Sequence, residues 1–256
     1  MSTYLWQNFL TDSTIRHRIA DKAHDFYSKN NCEYLIEIGP WKGSITKLIL
    51  NVSPNFFLFE KDETLKETLE EVISKKESWE AKIIRWDVLD WDLGQFDWKK
   101  DKTFVVGNLP YYITSPILRK FFWSEKGEFA GWLFMVQDEV WEKLRFDAGK
   151  KSYLYWILNY AYEVNYLKTV PAKAFSPAPK VKSCLIWLTK KDKIPNIPFD
   201  RLIEFLDLFS PYSRKTLSKI SKMLSKKWVS FVIPENLSNK RLEELNWTQL
   251  EEIFIA

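Results

Sequence analysis

Tyr34-Leu-Ile-Glu-Ile-Gly-Pro-Trp-Lys-Gly43 is an apolar strand that stops at Gly39-Pro40 and runs on into a helical pattern over 44–50. A strand, a glycine-containing turn and a helix in immediate succession form the first half of a βαβ unit. The same alternation continues outward. A second apolar strand covers 55–59 and ends at Glu60, followed by a polar-faced helix over 62–76 with Leu65, Leu69, Val72 and Ile73 inward. Further strands are expected at 82–85 (followed by Asp87), at 103–106 (leading into Gly107-Asn108) and at 131–136, with helices over 117–123 and 138–145. On the N-terminal side, Ile15, Ile19, Ala23 and Phe26 recur at helical spacing and predict a helix over 11–28. Strands at 162–168 and 183–188 have no long helix between them and are expected to pair antiparallel at the sheet edge.

This order predicts an α/β fold with a mainly parallel sheet and helices on both faces. Ligands of such sheets bind beyond the carboxyl ends of the strands. The polar residues of interest fall at those ends. The Glu37–Gly43 turn lets backbone approach a ligand beside a helix N-terminus. Glu60 is placed to accept hydrogen bonds from both ribose hydroxyls of a nucleoside-containing cofactor, and Asp87 to accept from an adenine amine. Each of the two acids would also serve as a plain helix cap.

Residues 190–198 are rich in Lys and Pro and read as a linker. The expected division is 1–190 for the cofactor-binding catalytic domain and 191–256 for a small all-helical domain, with helices over 200–209, 212–228, 240–245 and 248–254.

Composition narrows the class. Hydrophobic residues make up 46% of 256 positions, enough for a real core. No apolar run reaches the roughly 18 residues of a membrane span, and the first ten residues lack a signal-peptide layout; a soluble cytoplasmic protein is expected. Cys32 and Cys184 stand alone, and the two histidines, His17 and His24, share one helix, so neither a disulfide framework nor a metal site is expected. The net charge is +4, yet residues 150–227 carry 16 basic and 5 acidic residues. A basic half beside an acidic half suits a polyanionic partner, although solvated lysines on helices give the same pattern. Most of the 13 Trp, including Trp132, Trp156 and Trp187, fall at packing positions.

Gly107-Asn-Leu-Pro-Tyr-Tyr-Ile-Thr-Ser-Pro116 is the most specific motif. Two acceptors, the Asn108 side-chain oxygen and the Leu109 carbonyl, suit the two N–H groups of an adenine amine. Held there, a lone pair otherwise delocalised into the ring can face an electrophilic methyl group. Pro110 stiffens the loop, and Tyr111 offers a ring for the base to stack on, worth about 1–3 kcal/mol.

With this loop the chain resembles the ribosomal RNA adenine N6,N6-dimethyltransferase family, nearest to its bacterial small-subunit (16S) members. Gln7-Asn-Phe-Leu10, Glu37 to Gly43, Glu60, Asp87-Val-Leu89 and the 107–116 loop match the family's motifs in order. Met135-Val-Gln-Asp-Glu-Val140, Phe175-Ser-Pro-Ala-Pro-Lys-Val-Lys-Ser183, Arg214-Lys-Thr-Leu217 and Asn239-Lys-Arg-Leu-Glu-Glu-Leu245 carry the resemblance to the end of the chain. It implies a Rossmann-like S-adenosylmethionine-dependent methyltransferase sheet with the small helical domain behind it. It implies cofactor contacts from Gln7, Asn8, Leu10, Gly39, Glu60, Asp87 and Asn108. Base binding is implied for Asn108, Leu109 and Tyr111, with Phe175 on the opposite face of the adenine. The implied substrate is two adjacent adenosines near the 3′ end of small-subunit RNA, free or in an assembling 30S subunit. A monomer in ribosome maturation, with no membrane and no metal, is expected. Basic residues, Arg214, Lys215, Lys219 and Lys222 among them, are expected on the RNA phosphates.

Three departures stand out. Trp41 replaces a usual glycine; if the turn needs φ > 0 there, Trp carries strain of about 1–2 kcal/mol, and otherwise the loop has another conformation. Ser210-Pro-Tyr-Ser213 and Ser152-Tyr-Leu-Tyr155 also differ from the family pattern. The rival readings are a large-subunit RNA adenine methyltransferase of macrolide-resistance type, disfavoured by Tyr112, Ser115-Pro116 and Arg214 to Leu217, and a non-catalytic assembly factor, supported by Trp41. A DNA adenine methyltransferase is disfavoured because little chain remains for a recognition domain.

Overall fold

The computed structural model describes residues 8–74, 80–85, 87–90, 99–124, 128–145, 150–225 and 231–255. Its strands in chain order are β1 (Phe9–Leu10), β2 (Tyr34–Ile38), β3 (Asn55–Phe59), β4 (Glu80–Ile84), β5 (Thr103–Asn108), β6 (Gly131–Gln137), β7 (Tyr162–Val170), β8 (Phe175–Ser176) and β9 (Ser183–Lys190). Seven of them form one sheet in the order β4-β3-β2-β5-β6-β9-β7. Strands β4 to β6 of that order run parallel; β9 lies antiparallel to both β6 and β7, as the sequence predicts for the last two strands. The order reverses direction between β2 and β5, so their carboxyl ends flank the crevice where such sheets bind ligands.

The strands read as continuous apolar runs because both faces are covered. Alternate residues enter different cores: Leu35, Phe56, Phe104 and Leu133 pack under α1 (Ser13–Lys29), while Ile36, Phe57, Val105 and Trp132 face the other side. Asp12 starts α1 by accepting the Ile15 N–H at 3.0 Å, and Ile15, Ile19, Ala23 and Phe26 form its buried stripe. Helices α2 (Thr46–Ile49), α3 (Lys66–Ser74) and α5 (Asp138–Leu144) also lie between strands, and on the face opposite α1 the sheet is covered by α4 (Thr114–Arg119) and α6 (Tyr153–Ala161). Trp132 and Trp156 are fully buried, in keeping with the packing role expected of them.

Helix α6 was not legible in the sequence. Its stretch Tyr-Leu-Tyr-Trp-Ile-Leu-Asn-Tyr-Ala is apolar all round, so it shows no helical period, and it is buried on nearly every side. Ser152 caps it through the Tyr155 N–H at 3.2 Å, and the Asn159 amide ties it to the Leu144 carbonyl at 2.9 Å. Beyond β9 the chain forms α7 (Phe199–Phe209), α8 (Leu217–Ser225) and α9 (Trp247–Ile255). Their apolar faces continue the α6 core: Trp156 meets Trp247 edge-on at 4.9 Å, and the Tyr160 hydroxyl donates to the Ile197 carbonyl at 2.7 Å. The helix expected over 212–228 begins only at Leu217, after a 3-10 turn at Ser210–Tyr212. The helix expected over 240–245 is a single 3-10 turn, Leu242–Glu244, closed by the Glu244 carboxylate on the Arg241 N–H at 2.7 Å. The two-residue pairing of β1 with β8 is also new, setting Leu10 opposite Phe175.

Candidate active site

The turn after β2 brings its glycines to the crevice. Gly39 has φ +67° and donates its N–H to the Phe59 carbonyl at 3.0 Å. A Cβ at Gly39 would lie 3.2 Å from both the Asn108 carbonyl and the Trp41 Nε1, so only glycine lets the two loops approach this closely. Trp41 itself has φ +56°: the turn keeps its left-handed conformation with a tryptophan in it. Two hydrogen bonds hold it there. Its backbone N–H donates to Glu60 Oε2 at 3.1 Å, and its indole Nε1 donates to the Asn108 backbone carbonyl at 3.1 Å.

The acids sit at successive strand ends, as expected. Glu60, after β3, also accepts the Asp62 N–H at 2.9 Å, and burial raises its pKa above the usual carboxylate range. Asp87 accepts the Leu89 N–H at 2.9 Å and pairs with Lys61 at 2.7 Å. Burial alone would raise the Asp87 carboxyl, but the Lys61 ammonium and the Leu89 N–H together hold it below its ordinary value. Gly39, Trp41, Glu60, Lys61, Asp87 and Tyr112 line a cleft together with apolar Ile38, Phe59, Val88 and Ile117. The Lys61–Asp87 pair was missed at the sequence level. Lys61 follows Glu60 directly, but nothing local reports a partner 26 residues on.

Asn108 ends β5. It is 5% exposed, and its side-chain amide has no hydrogen-bond partner among the described residues. It opens on a second, smaller cavity lined also by Asn8, Trp41, Leu109, Pro110 and Tyr111. Leu109 is buried, with its N–H on the Met135 carbonyl at 3.3 Å. The Tyr111 hydroxyl meets the Ser183 hydroxyl at 2.5 Å, which ties the ring to the start of β9. Leu10 and Phe175 lie beside this cavity's elements rather than in its wall: both are buried in the core under α1, paired across β1 and β8. Gln7 lies outside the described residues, as do Lys226 and Lys227 of the basic run. Arg214, Lys215, Lys219 and Lys222 lie just before and along α8. All four are exposed. A further cleft brings Lys143, Lys150 and Lys151 together with Ser210 and Ser213. No group of three metal-ligating side chains occurs among the described residues, and none of their helices is long and apolar enough to cross a membrane.

Under the crevice lies Glu37, 1% exposed, accepting the Thr46 hydroxyl at 2.7 Å. Burial, with the nearby Glu60 charge adding to it, pushes its pKa up to about 8. The folded chain therefore keeps a proton that the unfolded chain releases in the ordinary carboxylate range. Stability falls as pH rises from that range toward about 8. Glu60 acts in the same direction, and Asp87, with a lowered pKa, in the opposite one at acid pH. Glu37→Gln is expected to flatten the decline, each unit of displacement being worth about 1.4 kcal/mol. Melting temperatures across the range from mildly acidic to mildly basic pH check this; equal slopes for parent and variant would refute it.

A sequence profile of the family described as ribosomal RNA adenine dimethylase matches residues 2–254. Curated relatives include the ribosomal RNA small subunit methyltransferase A of Bacillus mycoides (strain KBAB4), 37% identical over 196 residues, which cover 74% of this chain and 64% of the relative. The protein of that name from Bacillus cereus (strain B4264) matches to the same extent, so the matched stretch spans about 64% of these relatives' length. Two solved structures share the fold across nearly the full chain. A dimethyladenosine transferase from Plasmodium falciparum has TM-score 0.76 at 20% identity, covering 96% of each chain. The 23S rRNA methyltransferase ErmE has TM-score 0.68 at 22% identity, covering 97% of this chain and 100% of the other. At these identities the two structures speak for the fold. By the profile match along nearly its whole length, the chain belongs to the ribosomal RNA adenine dimethylase family.

Proposed function

We propose that this chain is an S-adenosylmethionine-dependent methyltransferase that dimethylates N6 of two adjacent adenosines near the 3′ end of small-subunit (16S) ribosomal RNA. The observation that carries the reading is the Asn108 side chain: buried, unpartnered among the described residues, and set between the acid-lined cleft and Tyr111. Its oxygen and the Leu109 carbonyl accept the two N–H groups of the adenine amine. The tethered Tyr111 ring stacks on the base, and Phe175, buried in the neighbouring strand pair outside the cavity wall, is assigned to its other face. Such a base is flipped out of its strand to enter.

Asn8, Leu10, Gly39, Glu60, Asp87 and Asn108 are assigned to the cofactor, with Gln7 beside them. The nucleoside half fits the residues present. Each Glu60 oxygen accepts one N–H, and a carboxylate has about four acceptor sites, which leaves room for two ribose hydroxyls. When bound, the cofactor supplies an electrophilic methyl group. The chain's own residues then contribute orientation, and no metal has a part. In this reading residues 1–190 perform the chemistry and 191–256 help seat the RNA. The chain works as a monomer in the cytoplasm, on assembling 30S subunits.

The test offers small-subunit RNA, assembling 30S particles and large-subunit RNA to the chain with S-adenosylmethionine, and reads nuclease digests by mass spectrometry. N6,N6-dimethyladenosine in the small-subunit material is expected. Product in large-subunit RNA alone would assign the macrolide-resistance type of activity. RNA binding with no product in any arm would leave an assembly factor.

RNA affinity is also expected to fall steeply between low and moderate salt. Changing Arg214, Lys215, Lys219 and Lys222 to Ala should flatten the log–log salt slope by roughly 0.7–0.9 for each phosphate that these side chains neutralise in the parent. An unchanged slope removes these four side chains from the RNA face.

A further inference from the structure

Trp41 lines both cavities, together with Pro110. On one side lie Glu60 and Asp87, on the other Asn108 and Tyr111. The indole is 8% exposed, packs edge-on against Phe9 at 5.8 Å, and is pinned through Nε1 to the Asn108 carbonyl. Its Nε1 also lies 3.2 Å from where a Gly39 Cβ would stand. The side chain thus folds back over its own turn instead of pointing to solvent.

A cofactor whose ribose rests on Glu60 and whose methyl group must reach an amine on Asn108 has to pass from one cavity into the other. Its amino-acid tail, with an ammonium and a carboxylate, needs the same ground. The indole lies along that route, and the Asn108 carbonyl, an acceptor an ammonium could use, already takes the indole N–H. We infer that Trp41 is a plug in the cofactor cleft: with the indole on Asn108 the site takes a nucleoside, and the amino-acid tail enters only when the indole swings out. The inference rests on the cofactor reading above and adds a residue that sets how tightly tailed and tailless adenosine compounds bind. A closed plug lowers apparent affinity for the tailed ligand by the fraction of molecules in which it is open.

The turn has φ > 0 at this position, which glycine adopts without penalty, so Trp41→Gly preserves the loop. Trp41→Phe keeps a ring and removes the N–H donor, and guards against misfolding of the first variant. Calorimetric titration of the parent and both variants uses S-adenosylmethionine and S-adenosylhomocysteine, which carry the tail, and 5′-methylthioadenosine, which lacks it. Trp41→Gly is expected to tighten both tailed ligands at least about tenfold, roughly 1.4 kcal/mol, and to leave methylthioadenosine within about twofold. Trp41→Phe is expected to tighten the tailed ligands by a smaller factor. Unchanged or weakened tailed ligands in Trp41→Gly, or an equal shift of all three compounds, overturns the plug while the cofactor site stands. If no protein binds any of the three compounds, the cofactor reading falls and the plug falls with it.

Discussion

Asn108→Ala should reduce methyl transfer by about three orders of magnitude while folding as the parent does. The side chain makes no hydrogen bond among the described residues, so its removal leaves no described donor or acceptor orphaned. The neighbours that define the loop use its main chain. The Asn108 carbonyl takes the Trp41 indole, and Asn108 pairs in register with Met135 of β6. Stability is therefore expected within about 1 kcal/mol of the parent, the usual range where no packing or polar network is broken. The loss falls on the reaction itself. One of two acceptors that hold the amine is gone, the nitrogen lone pair stays delocalised, and removal of one such orienting group typically costs about 10²–10³ in rate. Misalignment of a near-attack pair adds to it. Single-turnover methyl incorporation into small-subunit RNA, read beside a thermal melt, separates the two effects. Near-parental turnover in a folded variant would remove the amine pocket from the mechanism.

Gly131→Ala should cost stability far from the site. Gly131 opens β6 under α1, and a Cβ there would lie 2.3 Å from the Phe26 ring and 2.8 Å from the Leu188 carbonyl. Neither neighbour can yield cheaply. Phe26 is stacked on Phe104 at 4.3 Å and meets Trp187 edge-on at 6.4 Å, and Leu188 belongs to the strand paired with β6. One added methyl must therefore separate a helix from a sheet or two strands from each other. Overpacking of this kind costs about 1–3 kcal/mol or somewhat more. For a chain of this size that corresponds to a fall in melting temperature of roughly 2–12 °C. Catalysis per folded molecule should be unchanged, since no residue of the crevice moves. A melting temperature equal to the parent's would show that α1 and β6 pack more loosely than these distances require.

These two residues differ in how openly the sequence declares them. Asn108 stands in the 107–116 motif, where Asn108, Leu109, Pro110 and Tyr111 each have a local reason. Gly131 looks like any strand-opening glycine until Phe26, far back along the chain, is placed over it. The same divide runs through the rest of the molecule. Strand ends at Gly39, Glu60, Asp87 and Asn108 were legible because apolar runs, their punctuation and the rule for ligand sites are all local or topological. Helix α6 was hidden because burial on all sides removes the periodicity by which helices are recognised. The stretches 212–216 and 240–245 look helical in composition, but α8 starts only at Leu217 and the second stretch makes a single turn at Leu242–Glu244.

By itself the sequence determined the succession of the sheet strands and of most helices, the antiparallel closing strands, the acids at the strand ends and the loop that carries Asn108, since each follows from periodicity and from the chemistry of neighbouring residues. The tertiary structure alone decided which distant groups meet: the Trp41 indole on the Asn108 carbonyl, Lys61 on Asp87, Tyr111 on Ser183, Leu10 opposite Phe175. Contacts of that kind are chosen by how two covered faces of a sheet pack and how its loops converge. No short-range pattern carries that information, because the partners are neighbours only after the chain has folded.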